Sequence, residues 1–81
     1  MLNMQNEKFH NQNELEFAIF CIENIAAQSG VSAERLYEDL TKESDILYSY
    51  IIPCYDVLHT QGKEYIVNDI LDLMRERGVS V

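Results

Sequence analysis

The residues best suited to covalent chemistry lie close together in the middle of the chain, at Cys54, Asp56 and His59. A thiol, an imidazole and a carboxylate are the parts of an activated nucleophile, its general base and the group that orients the base. Their spacing, however, does not place all three side chains on one face of a helix, and such groups usually come from distant segments. The protein is therefore predicted not to be an enzyme. A small enzyme that uses Cys54 and His59 stays open as an alternative.

The same residues do not form a recognisable metal site. Cys54 and His59 supply two ligands, and a structural zinc site needs more. The other cysteine, Cys21, lies within an apolar stretch, which is typical of a buried small hydrophobic residue. The sequence predicts no metal site and no cofactor.

A second kind of site is indicated by aromatic residues around the single proline, Pro53. The segment from 44 to 70 contains four of the five tyrosines. A tyrosine ring joins a large apolar surface to a polar tip, which suits protein interfaces and also suits the edge of a small core. We predict a partner-binding surface here, formed by Tyr48, Tyr50, Tyr55, Asp56, His59 and Gln61.

The charge balance restricts the class of partner. The chain has 14 acidic residues against 6 basic ones, for a net charge of −8. Nucleic acids and anionic membrane surfaces attract cationic proteins, so neither is expected as a partner. A protein partner, and a basic one in particular, is favoured. The acidity also promotes solubility, and a homo-oligomer stays open.

Residues 25–36 resemble the helix-turn-helix motif of bacterial repressors. The small Ala26, the turn residue Gly30 and the apolar Leu36 occupy the places that this motif requires. A helix that reads DNA begins with basic or amide side chains. Here the second helix is expected to expose one arginine and three acids, which are Glu34, Arg35, Glu38 and Asp39. A plain capped helical hairpin is favoured, and a DNA-binding regulator stays open as an alternative.

Apolar spacing and capping residues predict where the helices lie. The first helix should begin after an N-cap at Asn13 and end at Ser29, before Gly30. The second should follow an N-cap at Ser32. The third should run from Asp45, and proline chemistry should interrupt it. The fourth should span about 63–77.

These elements predict an all-α fold, a compact bundle of four main helices with a Pro-interrupted third segment. Residues 1–12 are expected to be a flexible N-terminal lead-in, and residues 13–81 a single helical domain. The first and fourth helices should form the core, in which Phe20 widens the buried stripe of the first helix. The residues that join these helices should be Leu36, Leu40, Ile46, Leu47, Ile51 and Leu58.

The N-terminus is polar, and no apolar run approaches the roughly 20 residues of a membrane span. A cytoplasmic protein with free thiols is expected.

Several stretches together resemble a family of small bacterial proteins of unknown function. They include ELEFAIFCIENIA at 14–26, SDIL at 44–47 and, as the most specific part, YDVLHTQGKEYIV at 55–67. The resemblance implies a compact helical domain and no known activity or catalytic residue. Family members often lie beside genes for proteins resembling ADP-ribosyltransferases. This implies an antitoxin-like role, or a role as the regulatory partner of a neighbouring gene product.

Overall fold

All regular secondary structure in residues 9–79, the part of the chain that this computed structural model describes, is helical. These residues occupy about 29 × 25 × 21 Å. None of their helices combines the length and apolar character that crossing a membrane requires. The predicted all-α class is confirmed, but residues 9–79 contain five helical segments in place of four. They are α1 (Gln12–Ser29), α2 (Ala33–Thr41), the π-helical segment (Leu47–Ile51), α3 (Tyr55–Leu58) and α4 (Lys63–Glu76).

The first helix begins earlier than its sequence indicated. Asn11, and not Asn13, is the N-cap, because its side-chain oxygen accepts the backbone N–H of Glu14 at 2.9 Å. Asn11 has the extended backbone that a capping residue adopts, whereas Asn13 is already helical. Residue 12, which the sequence assigned to the lead-in, is thus the first residue of α1, and residues 1–8 lie outside the described part. The predicted end is confirmed, since Gly30 has a φ of 74° and donates its N–H to Ala26.

In the second helix, the predicted N-cap is confirmed, but the predicted exposure of one side chain is wrong. The Ser32 hydroxyl accepts the backbone N–H of Arg35 at 3.1 Å. Asp39, expected to face water, is only 9% exposed. It lies three residues after Leu36 and beside Leu40, at the edge of the buried face, where tertiary packing covers it. Its Oδ2 lacks a hydrogen-bond partner within residues 9–79, and the nearest cation, the Nε of Arg35, is 4.0 Å away.

The third predicted helix is divided into a π-helical segment, a turn and the short α3. The Ile52 N–H binds the Leu47 carbonyl at 3.0 Å, a spacing of five residues, and the Cys54 N–H returns to a spacing of four by binding Tyr50. Pro53 lies between them and has no N–H to donate. In a regular α-helix its ring would also clash with the carbonyl four residues earlier, so the α-helical pattern cannot continue unchanged through Pro53. The interruption by proline was predicted. Helical hydrogen bonding does begin at Asp45, whose carbonyl accepts the Ser49 N–H at 2.8 Å, but the helix continues as a π-helix over Leu47–Ile51.

The core lies between α1 and α4, as expected. All six joining residues are buried. Phe20 is an exception to the predicted stripe, because it is 38% exposed. Its ring stacks on the buried Phe17 with centroids 6.3 Å apart, so it extends the core onto the surface.

Candidate protein-docking cleft

An open cleft of about 320 Å³ separates the start of α1 from the chain around Pro53. Its apolar lining comes from aliphatic, proline and tyrosine side chains. Its ionisable side chains, apart from the tyrosines, are two carboxylates and an imidazole. We call this the docking cleft, and it is lined by His10, Glu14, Tyr48, Ile52, Pro53, Tyr55 and Asp56.

The interrupted third helix positions most of these side chains. Three of them, Ile52, Tyr55 and Asp56, lie four, seven and eight residues after Tyr48. This spacing places residues on one face of a helix. All four side chains line the cleft, although the segment passes from a π-helix through a turn at Pro53 into α3. The cleft is therefore built largely from one side of a single bent segment.

Tyr55 is held on two sides. Its ring stacks on the ring of His59, with centroids 4.3 Å apart and planes 9° apart, and meets Phe17 of α1 edge-on at 5.4 Å. The His59 Nδ1 lies 2.6 Å from the Tyr55 carbonyl oxygen. A carbonyl only accepts, so Nδ1 carries the hydrogen of this bond. This bond and the ring stacking hold the imidazole against the tyrosine ring.

Tyr48 is also anchored to the rest of the protein. Its hydroxyl lies 3.4 Å from the hydroxyl of Tyr37 on α2, and its ring centroid is 6.3 Å from that of Phe9. Both Tyr48 and Tyr55 are half-buried. Two rings of the cleft thus combine an accessible surface with fixed positions.

Glu14 brings negative charge to the cleft from α1. Its carboxylate accepts the backbone N–H of His10 at 2.9 Å and the His10 Nδ1 at 3.1 and 3.2 Å. The backbone hydrogen bond from His10 is the main cause that lowers the pKa of Glu14 below its usual value. The side chain is therefore ionised at neutral pH, and its carboxylate has further lone pairs that can accept hydrogen bonds.

The predicted site residues are only partly brought together. Tyr48, Tyr55 and Asp56 line the cleft, and His59 supports it from behind Tyr55. Tyr50 instead donates its hydroxyl to Asp69 of α4. Gln61 is exposed in the turn before α4 and is not among the residues that line the cleft. Sequence reasoning missed Ile52 and the α1 side of the cleft, although the helical spacing from Tyr48 could have identified Ile52.

The alternative of thiol chemistry at Cys54 and His59 has no matching hydrogen bonds in the described part. The His59 Nδ1 is bound to the Tyr55 carbonyl, and no hydrogen bond joins Cys54 to His59 or Asp56 within residues 9–79. Cys21 is buried, and this burial raises its pKa to about 12. Among the same residues, no three His, Cys, Asp or Glu side chains are grouped as a metal site would need.

The α1–α2 hairpin has the connectivity of a helix-turn-helix but an acidic exposed surface. Glu34 and Glu38 are exposed. The cations nearby lie beside acids of the same helical region, with the Lys42 Nζ 3.5 Å from Glu38 and Arg35 close to Asp39. This surface offers little free positive charge for phosphates.

The chain matches no curated protein and no solved structure. A family model described as "Protein of unknown function (DUF3791)" matches residues 16–77. The match includes α2, α3, α4 and all of the docking cleft except His10 and Glu14. It confirms the resemblance to a family of unknown function that the sequence indicated. The chain belongs to this DUF3791 family.

Proposed function

We propose that this protein is a non-enzymatic interaction module that binds a basic protein partner at the docking cleft. The observation that carries the proposal is the cleft itself, in which two anchored tyrosines, a proline and two carboxylates meet. In this proposal the module works in the cytoplasm. Its partner is the product of a neighbouring gene, in an antitoxin-like or regulatory pair.

The fixed positions of the two cleft tyrosines support a role in binding a protein partner. Tyrosine is enriched among the residues that contribute most to protein interfaces. Binding is weakened when flexible side chains must be immobilised, at about 0.5–1.5 kcal/mol for each one. Tyr48 and Tyr55 are already held by Tyr37, Phe17 and His59. A partner that contacts them loses less conformational entropy than it would on mobile rings.

Charge supports a basic partner over a second copy of this chain. The net charge is −8, so two copies repel each other at long range, whereas a cationic protein is steered towards the surface. At the cleft, Asp56 is exposed and forms no ion pair within residues 9–79. Its charge is therefore available to a partner.

Capture from the native cell with matched variants tests the proposal. The tagged wild-type chain is compared with the double variant Tyr48→Ala/Asp56→Ala and with Tyr65→Ala/Asp72→Ala, which removes the same side chains from exposed positions on α4. Co-purifying proteins are identified by mass spectrometry, and thermal unfolding shows that each variant folds. We expect a basic protein to be lost with the cleft variant alone.

Equal recovery of every co-purifying protein by the two double variants would contradict the proposal. A wild-type chain that elutes as a stable dimer, and that the cleft variant converts to a monomer, would show that the cleft holds a second copy instead.

A further inference from the structure

We infer that the docking cleft recognises one arginine side chain of the partner. This inference rests on the proposed function and names the chemical group that the cleft selects. It follows from the size of the cleft, its apolar wall and the placement of its carboxylates.

The size of the cleft is sufficient for a single long side chain. A volume of about 320 Å³ is at the lower end of the range for ligand pockets, which is about 300–1,000 Å³. A packed helix would need an apolar groove, whereas three of the seven residues that line this cleft are His10, Glu14 and Asp56. The wall formed by Ile52, Pro53 and Tyr55 matches the aliphatic stem of an arginine or lysine, because such stems pack on apolar surface while the charged head stays in contact with polar groups.

The carboxylates favour a cationic head with several donors. Glu14, which also accepts hydrogen bonds from His10, approaches the cleft from α1, and Asp56, which is unpaired in the described structure, approaches from α3, so the two carboxylates come from two different elements. A guanidinium presents several N–H groups in a planar fork and can bind more than one acceptor at once. It also stacks on aromatic rings and is more weakly hydrated than an ammonium. These properties favour arginine over lysine beside Tyr48 and Tyr55.

An arginine that occupies the cleft must come from another molecule. The chain has three arginines, and in the described structure none of them lines the cleft. Arg75 pairs with Asp72 on α4, and Arg35 lies 4.0 Å from Asp39 on α2. Arg77 lines a separate pocket near Gly78. The acidic cleft therefore has no internal guanidinium to neutralise it.

Titration with short peptides, followed by NMR of the folded chain, tests this inference. The probe is the blocked pentapeptide Gly-Ser-Arg-Ser-Gly, compared with peptides that carry citrulline or lysine in place of arginine. Citrulline keeps the planar shape and removes the charge. We expect saturable shifts of the Tyr48, Tyr55 and His59 ring signals with the arginine peptide. The citrulline peptide should bind about 10-fold more weakly, and the lysine peptide several-fold more weakly.

Variants that each remove one carboxylate test whether the arginine peptide binds at the cleft. Asp56→Asn should weaken arginine-peptide binding about 10-fold, since it removes one carboxylate of the site. Asp72→Asn, the same change on the exposed surface of α4, should leave it within about twofold. Equal binding of the arginine and citrulline peptides, stronger binding of the lysine peptide, or equal effects of the two variants would overturn the inference.

Failure of the arginine inference can be distinguished from failure of the proposed function. If partner capture depends on Tyr48 and Asp56 while the peptides show no preference for arginine, the arginine inference is wrong and the proposed function stands. If capture is also indifferent to the cleft variant, both are wrong.

Discussion

The Tyr50 hydroxyl donates a hydrogen bond to the Asp69 carboxylate, and this contact joins the π-helical segment to α4. The two residues are 19 positions apart in the chain, and both are half-buried. Tyr48, which lines the docking cleft, is two residues before Tyr50 on the same segment. The Tyr50–Asp69 contact therefore helps to hold the cleft-forming segment against the core.

Removing the Tyr50 hydroxyl should destabilise the fold. Tyr50→Phe keeps the ring and leaves the Asp69 carboxylate without this donor, so we expect a loss of about 1–2 kcal/mol in the free energy of unfolding. Urea denaturation followed by circular dichroism measures it. Tyr65→Phe is the matched control, because that ring is 57% exposed on α4. A loss as large in the control as in Tyr50→Phe would contradict a specific role for the Asp69 contact.

The same contact predicts a pH dependence at the alkaline end. The hydrogen bond to Asp69, together with burial, raises the pKa of Tyr50 above its usual value. A group whose pKa is raised on folding stabilises the folded state below its unfolded pKa, here about pH 10, and the stabilisation is lost as the pH rises through the folded value. Between about pH 9 and pH 12, the stability advantage of the wild type over Tyr50→Phe should therefore shrink. An advantage that stays constant across this range in parallel urea denaturations would show that Tyr50 titrates at the same pH in both states.

The glycine at the α1–α2 turn is predicted to be required for its backbone conformation. Gly30 has a φ of +74°, which an L-amino acid adopts at a penalty of about 1–2 kcal/mol. Gly30→Ala should lower stability by about this amount. Gly62 has an ordinary φ of −72° and open space around it, but it is the N-cap of α4, so Gly62→Ala should lower stability by a smaller amount, about 0.5 kcal/mol. Thermal melts of the two variants compare them directly, and similar melting temperatures would contradict this explanation.

The two cysteines should differ in reactivity. Cys21 is fully buried and its pKa is raised to about 12, whereas Cys54 is half-buried. A thiolate is the reactive species, so native protein at neutral pH should be labelled at Cys54 first, and at Cys21 only when it unfolds. Mass spectrometry after timed exposure to a maleimide reads both sites, with Cys54→Ala as the control. Labelling of Cys54 much faster than that of a free model thiol would instead support the alternative of a nucleophilic enzyme.

Local chemistry in the sequence was sufficient to predict most of the helices. Ser32, Gly30 and Pro53 each act through their own backbone or side chain, and each has the predicted effect. The start of α1 was missed because Asn11 and Asn13 are both good caps. The choice between them is consistent with the hydrogen bonds that Glu14 makes to both Asn11 and His10.

Tertiary packing was not predictable in the same way. Asp39 has the sequence character of a surface acid, and its burial depends on its place at the edge of the face that carries Leu36 and Leu40. The cleft, too, could be predicted only in part from local sequence. Tyr55 and Asp56 were chosen because of their residue types, but Glu14 joins them from a distant part of the chain. No local sequence pattern indicates that Glu14 lies near Tyr55 and Asp56.

Photocrosslinking in the native cell tests most directly whether the docking cleft binds a protein partner. Val57 is 66% exposed and follows Asp56, so a photoreactive amino acid there leaves every cleft side chain in place. The control position is Glu23, which is exposed on α1 and does not line the cleft. We predict a discrete adduct with a basic protein from position 57 and none from position 23. The same adducts from both positions, or none from position 57, would contradict a partner-binding cleft.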